Sequence, residues 1–197
     1  MNAVNRLCKQ VVLLSAGQVV AQGATEEVIA KYLNTATQVY SAMFPSDLNK
    51  PFQVLALSLR DASNNLVQRQ LGVDEVFSIK ISYKIFRELP GAYAGFTIRN
   101  AAGEIIFMSD SRDVSSTESE LENPGEKSAS IVFPAPLLVP GRYTITAAIC
   151  QQGVGALDAC LDALTFEVVN FKAIRTSWVG FVHIPRHWDF SESINQN

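Results

Sequence analysis

The sequence predicts an all-β chain, built for most of its length as an immunoglobulin-like antiparallel sandwich of two sheets. Three observations carry this. Apolar and polar residues alternate with period two in several runs, turn material separates the runs at regular intervals, and no helical period intervenes between residues 51 and 170. Seven or so strands without crossover helices fit a two-sheet sandwich better than a barrel or an α/β fold.

Taken in order, the first element is a hairpin. Val11 to Leu14 form a short β-branched run, Gly17 supplies a turn, and VVAQG resumes the extended pattern before stopping at Gly23. Thr25 then offers a side-chain cap. Glu26 and Glu27 place negative charge in a first helical turn, and Val28, Ile29, Tyr32 and Leu33 recur at helical spacing, so a short helix to about Leu33 is expected. Residues 34–50 have mixed polarity, a proline at 45 and no sustained period, and read as a linker. The predicted organisation is therefore a hairpin and helix over 1–33, a linker over 34–50, and a sandwich with a C-terminal extension over 51–197.

The strand-like runs of the third unit are FQVLALSLRD, VFSIKISYKIF, YAGFTIRN, EIIFMSD, SASIVF, RYTITAAIC and LTFEVV. DASNN, LPG, NAAG, NPGE and VPG separate them. Ile79, Ile81, Tyr83 and Ile85 share one face of their run, opposite Lys80, Ser82 and Lys84; Tyr143, Ile145, Ala147 and Ile149 oppose Arg142, Thr144 and Thr146. The Cys, Trp, Cys spacing of antibody domains is missing, so the likeness is one of architecture.

Composition limits the function. With 197 residues, 48% apolar and 18% charged, the chain is an ordinary folded one, and a formal charge of -3 with mixed signs offers no broad positive surface for nucleic acid. No apolar run approaches the roughly 18 residues that cross a bilayer, and no signal-peptide pattern opens the chain, so a cytoplasmic location is expected. Cys8, Cys150 and Cys160 are too few for a disulfide framework. Cys150 and Cys160 could face one another across a hairpin, but free thiols are expected in a reducing compartment. His183 and His187 have i, i+4 spacing, yet Pro185 lies between them and no HExxH glutamate accompanies them, so no metal is expected.

Residues 6–33, RLCKQVVLLSAGQVVAQGATEEVIAKYL, resemble the C-terminal end of ABC-transporter ATPase domains: a buried strand, a Gly turn, a second strand closing on Gly, and a short helix ending in Tyr-Leu. A sandwich after such a tail resembles the ATP-binding subunit of O-antigen polysaccharide exporters of the Wzt type. GVDEVFSIKISYKI, GFTIRNAAGEIIF, PGRYTITAAI and LTFEVV carry that likeness in order across about residues 51 to 170. VGFVHIP resembles the family's closing strand, whereas the tail after Pro185 departs from it.

The resemblance implies a carbohydrate-recognition domain that binds an undecaprenyl-linked polysaccharide for export across the inner membrane. It also implies a membrane-spanning permease partner, a homodimer, and a position peripheral to the membrane. ATP and magnesium would belong to the missing ATPase portion. This chain contains no GxxxxGK[ST] loop and should not hydrolyse ATP by itself, and no cofactor is expected for it.

A sugar site needs planar polar groups for hydroxyls and an apolar floor for ring C–H faces. Opposite the core-facing Phe96 and Ile98 lie Tyr93, Thr97 and Arg99; opposite Ile105 and Phe107, both expected to face the core, lie Ile106, Met108 and Asp110. Ser82, Lys84, Thr144 and Thr146 would join that face if their strands share one sheet, and Trp178 is a further stacking candidate, or else a core or interface residue. The same positions also read as the solvated side of a sandwich.

Two rival functions remain open in the sequence. One is a dimerisation or docking module without a sugar site. The other is a carbohydrate-active enzyme, for which Asp110, Asp113, Glu118, Glu120 and Glu122 supply carboxylates, although SDSRDVSSTESELENPGE reads mainly as a solvated polar loop.

Overall fold

The computed structural model describes residues 7–15, 17–25, 27–28, 31, 38–47, 49–113, 123–171, 180 and 182. Among them, eleven strands form three sheets. β1 (Gln10–Ser15) and β2 (Gln18–Ala24) make the expected antiparallel hairpin, with Gly17 at φ +78° where a side chain would be strained. Thr25, expected as a cap, is buried, and its Oγ1 donates to the Cys8 carbonyl at 2.5 Å. The helix expected to follow is not among the described elements, and Glu26, Ile29, Ala30, Tyr32 and Leu33 lie outside the described residues.

The remaining strands form a sandwich. One sheet has the order β3 (Ser41–Met43), β4 (Phe52–Asp61), β6 (Phe77–Ile85), β9 (Gly125–Phe133). The other has the order β5 (Leu71–Gly72), β11 (Gly155–Val169), β10 (Gly141–Gln151), β7 (Ala92–Asn100), β8 (Ile105–Asp110). All pairings are antiparallel except β5 with β11, so the central strands β7, β10 and β11 stand where an immunoglobulin sandwich has C, F and G. β3 falls within the stretch that reads as a linker. Val39 exchanges two backbone hydrogen bonds with Thr165 of β11, and two residues later β3 joins β4, so the chain crosses from one sheet to the other there.

Alternation decides the core. Phe77, Ile79, Ile81, Tyr83 and Ile85 of β6 are buried, as are Tyr143, Ile145, Ala147 and Ile149 of β10. Aromatic rings bridge the sheets: Phe166 packs 5.7 Å from Phe77 and 5.6 Å from Tyr143, and Phe133 receives Phe107 edge-on at 5.2 Å. Four register shifts interrupt the ladders of the sandwich, in β4 after Val54, in β8 at Ile106, and in β11 opposite Thr146 and at Leu157. Among the described residues the cysteines are free: Cys150 pairs with Ala156 and Cys160 with Ala147 in the ladder, so they do not face one another.

Tyr143 ties the start of β10 to its approach. Its hydroxyl donates to the Val139 carbonyl four residues upstream at 2.7 Å, the arrangement of a tyrosine corner, and burial pushes its pKa up to about 12. Tyr143→Phe is expected to cost about 1 kcal/mol, read as a lowered denaturant midpoint. Because the folded-state pKa is raised, the neutral phenol's contribution is complete below pH 10 and declines as the pH rises through about 12. The phenylalanine variant should lose that alkaline dependence.

Candidate functional site

The outward positions of the five-stranded sheet form a continuous surface whose register is fixed by the ladders. Arg99 lies opposite Thr144 and Ile105; Thr97 lies opposite Thr146 and Met108; Gly95 lies opposite Ala148 and Asp110; Tyr93 lies opposite Cys150. Seven of the predicted site residues, Tyr93, Thr97, Arg99, Met108, Asp110, Thr144 and Thr146, are thus brought together on one face. Ser82 and Lys84 are not among them. Both belong to β6 of the four-stranded sheet, where Ser82 faces Ala56 and Ser128 and Lys84 pairs with Glu126 at 2.8 Å, so they lie on the opposite side of the sandwich. Trp178, His183 and His187 lie outside the described residues.

The register of β8 corrects one further expectation. Strict alternation would put Ile105 in the core, but Arg99 pairs with Ile105 while the preceding Ile98 pairs with Phe107, leaving Ile106 as an extra residue. The bulge turns Ile105 outward, 56% exposed, and packs Ile106 with Phe107 against the core. Met108, 69% exposed, keeps its expected outward place.

Sequence reasoning missed Arg112. The short 3-10 turn Ser111–Asp113 returns its guanidinium over the Tyr93 ring, 3.6 Å from the centroid, and Nε and Nη2 donate to the two Asp110 oxygens at 2.9 and 2.7 Å. The i, i+2 spacing of Asp110 and Arg112 was the available signal, hidden in a run that reads as a polar loop. Gly95 completes the cluster: a Cβ there would meet the Asp110 Cβ and the Ser109 carbonyl oxygen at 3.1 Å, so the missing side chain lets β8 close on β7. At the other margin, Leu161, Asp162 and Ala163 bulge from β11 opposite Thr146. Asp162 adopts φ +47°, its N–H donates to Thr146 Oγ1 at 3.1 Å, and Leu161 stands 76% exposed.

The hydrogen bond from Arg112 holds the Asp110 carboxyl below its ordinary range, and the carboxylate in turn raises Arg112. Among the described residues two other carboxyls are depressed: Glu75 by Arg69, and Asp61 by the Asn65 backbone N–H in its loop. Depressed carboxyls contribute stability that is complete above their ordinary values of 3.8 to 4.5 and is lost as the pH falls through their folded values. Melting temperatures measured from pH 7 down to 2 should therefore fall below about pH 4, and Asp110→Asn should flatten part of that fall.

Residues 49–184 match the family described as Wzt C-terminal domain. The chain belongs to that family. A crystal structure of the C-terminal domain of Wzt superposes with a TM-score of 0.52 at 13% identity, covering 74% of this chain and 95% of that one, and so shares its fold. A CARDB domain from Pyrococcus furiosus, crystallised with two metal ions, gives a TM-score of 0.38 at 15% identity over 64% of this chain and 100% of its own. No curated protein matches the chain. Among the described residues, no group of three His, Cys, Asp or Glu side chains could hold a metal ion, and no helix is long and apolar enough to cross a membrane.

Proposed function

We propose that this Wzt C-terminal domain is a carbohydrate-recognition unit. It binds a lipid-linked O-antigen or related surface polysaccharide and presents it to the exporter, through the outer face of its five-stranded sheet. One observation carries the reading: an aromatic ring, a carboxylate, guanidinium groups and threonine hydroxyls share a single sheet face beside exposed Met108 and Leu161. Fixed planar donors and acceptors suit sugar hydroxyls, and the apolar residues suit ring C–H faces. The ATPase portion, the permease partner and pairing of two copies would supply the transport step and the avidity along one chain.

Each hydroxyl contact displaces water, so a short fragment should bind weakly, with Kd roughly 0.1–1 mM. The test is a calorimetric titration of the chain with the source organism's own surface polysaccharide and its short fragments. Saturable binding that Asp110→Ala weakens by about tenfold or more is the expected result. Asp110 is the informative residue because its loss also releases Arg112 from Tyr93. Binding that the change leaves intact would remove the site from this face. A folded protein that binds no fragment would favour a docking module instead, for which the edge strand β9, with Val132 64% exposed, offers a surface.

A further inference from the structure

We propose that the outer face of the five-stranded sheet contains an anion-binding subsite made by Arg99 and Arg142, and that the glycan it takes carries a negatively charged substituent, a uronate carboxylate or a sugar phosphate. The inference rests on the glycan-recognition reading and deepens it. The ladder places the two guanidinium-bearing residues together. Arg99 pairs with Thr144, and Arg142 is two residues from Thr144 on the same face of β10, a diagonal neighbour at about 7–8 Å between backbones.

Among the described residues, neither has the carboxylate partner that Arg69 and Arg112 have. Arg69 is held by Glu75 and Arg112 by Asp110, each through two nitrogens. Arg142 Nη1, by contrast, is buried with no hydrogen-bond partner among the described residues. The carboxylate across the ladder from it is Glu167, whose Oε2 already accepts from Gln38 Nε2 at 3.0 Å and Gln70 Nε2 at 2.7 Å. No ion pair joins Glu167 to Arg142. The Arg99 side chain makes no hydrogen bond or ion pair with a described residue, and its ladder neighbours are Ile105 and Thr144.

A buried guanidinium N–H without an acceptor is unfavourable, and an anion's oxygen would satisfy it. The surroundings select an anion attached to a sugar. Thr97, Thr144, Thr146 and Thr165 place neutral hydroxyls on the same face around the two cations, and the β8 bulge beside Arg99 opens that margin with exposed Ile105. Glu167 and Asp162 sit at the β11 side, so the positive character is confined to the Arg99 and Arg142 positions and does not extend over the sheet.

The experiment is a titration of the isotope-labelled full chain, followed by arginine side-chain and backbone amide resonances, with sodium glucuronate, glucose 1-phosphate, neutral glucose and inorganic phosphate in parallel. Expected are shifts at Arg99, Arg142 and Thr144 with glucuronate or glucose 1-phosphate, and about tenfold weaker response to glucose. Glucuronate and glucose 1-phosphate separate the two sources of charge. Arg99→Gln should weaken the charged sugar about tenfold and Arg99→Lys less, since lysine keeps the charge but not the fork. Arg142→Gln should match Arg99→Gln where it folds, and the exposed-face Arg99 variants decide the matter where it does not. Equal binding of glucose and the charged sugars would overturn the anion subsite while leaving glycan recognition standing. Inorganic phosphate binding as tightly as glucose 1-phosphate would support the subsite and sink the glycan reading. No shift at these residues with any probe overturns the proposal.

Discussion

Phe166→Ala should lower the stability of the domain by about 3–5 kcal/mol and its melting temperature by about 10 °C or more. Phe166 is completely buried in β11, and its ring contacts Phe77 of the opposing sheet and Tyr143 of the neighbouring strand. Removing it takes away the transfer free energy of a ring and leaves a void between two sheets that are held apart by other rings. Phe77 and Phe133 stack at 4.8 Å, and Phe107 meets Phe133 edge-on, so neighbours cannot collapse into the space without breaking their own contacts. Phe166→Leu keeps most of the volume and should cost less than half as much, about 1–2 kcal/mol. Urea unfolding of both variants measures the difference, and an alanine variant within about 1 kcal/mol of the parent would show that the sandwich is not packed as described.

The residues that build this core are also those most legible in the sequence. β6 and β10 alternate without interruption, so a period-two pattern assigns Ile79, Ile81, Tyr83 and Ile85, and Tyr143, Ile145, Ala147 and Ile149, to the interior, where they lie. Pattern fails where a bulge adds a residue. Ile105 is apolar and in phase with Phe107 in the sequence, yet one extra residue opposite Arg99 turns it to solvent. In β11 the run Leu161 to Ala163 bulges out from the ladder, and Asp162 takes a left-handed conformation that no alternation rule anticipates.

The candidate site was legible only as half of a surface. Which residues share a strand face follows from period two, so Tyr93, Thr97 and Arg99 could be grouped, as could Thr144 and Thr146. Which strands share a sheet does not. β6 pairs with β4 and β9, both distant in sequence, and this sends Ser82 and Lys84 to the far side of the sandwich. Arg112 escaped because its position depends on a turn after β8 that folds back over Tyr93, a tertiary contact with no periodic signature.

The second large effect is expected at Asp158, which joins the hairpin of β10 and β11 to the start of β4. Its Oδ1 accepts from Lys50 Nζ at 2.7 Å and its Oδ2 from the Val54 backbone N–H at 3.1 Å, with only 9% of the side chain exposed. Val54 lies just before the β4 bulge, where the ladder to β6 skips Leu55, so the carboxylate meets an N–H at an interruption of the ladder. Asp158→Ala leaves that N–H without its acceptor and removes the charge beside Lys50, and should cost about 2–3 kcal/mol. Lys50 is 39% exposed, so solvent takes up its share and most of the loss belongs to the amide. Asp158→Asn can still accept from Val54 but turns an amide donor toward Lys50, and should cost about half as much. Hydrogen bonding to Asp158 raises the Lys50 pKa. The pair's contribution is therefore complete below pH 10.5, the ordinary lysine value, and declines as the pH rises through the folded-state value. If Lys50→Met costs as much as Asp158→Ala, the ion pair and not the backbone bond holds the hairpin to β4; a much smaller cost assigns the work to the Val54 amide.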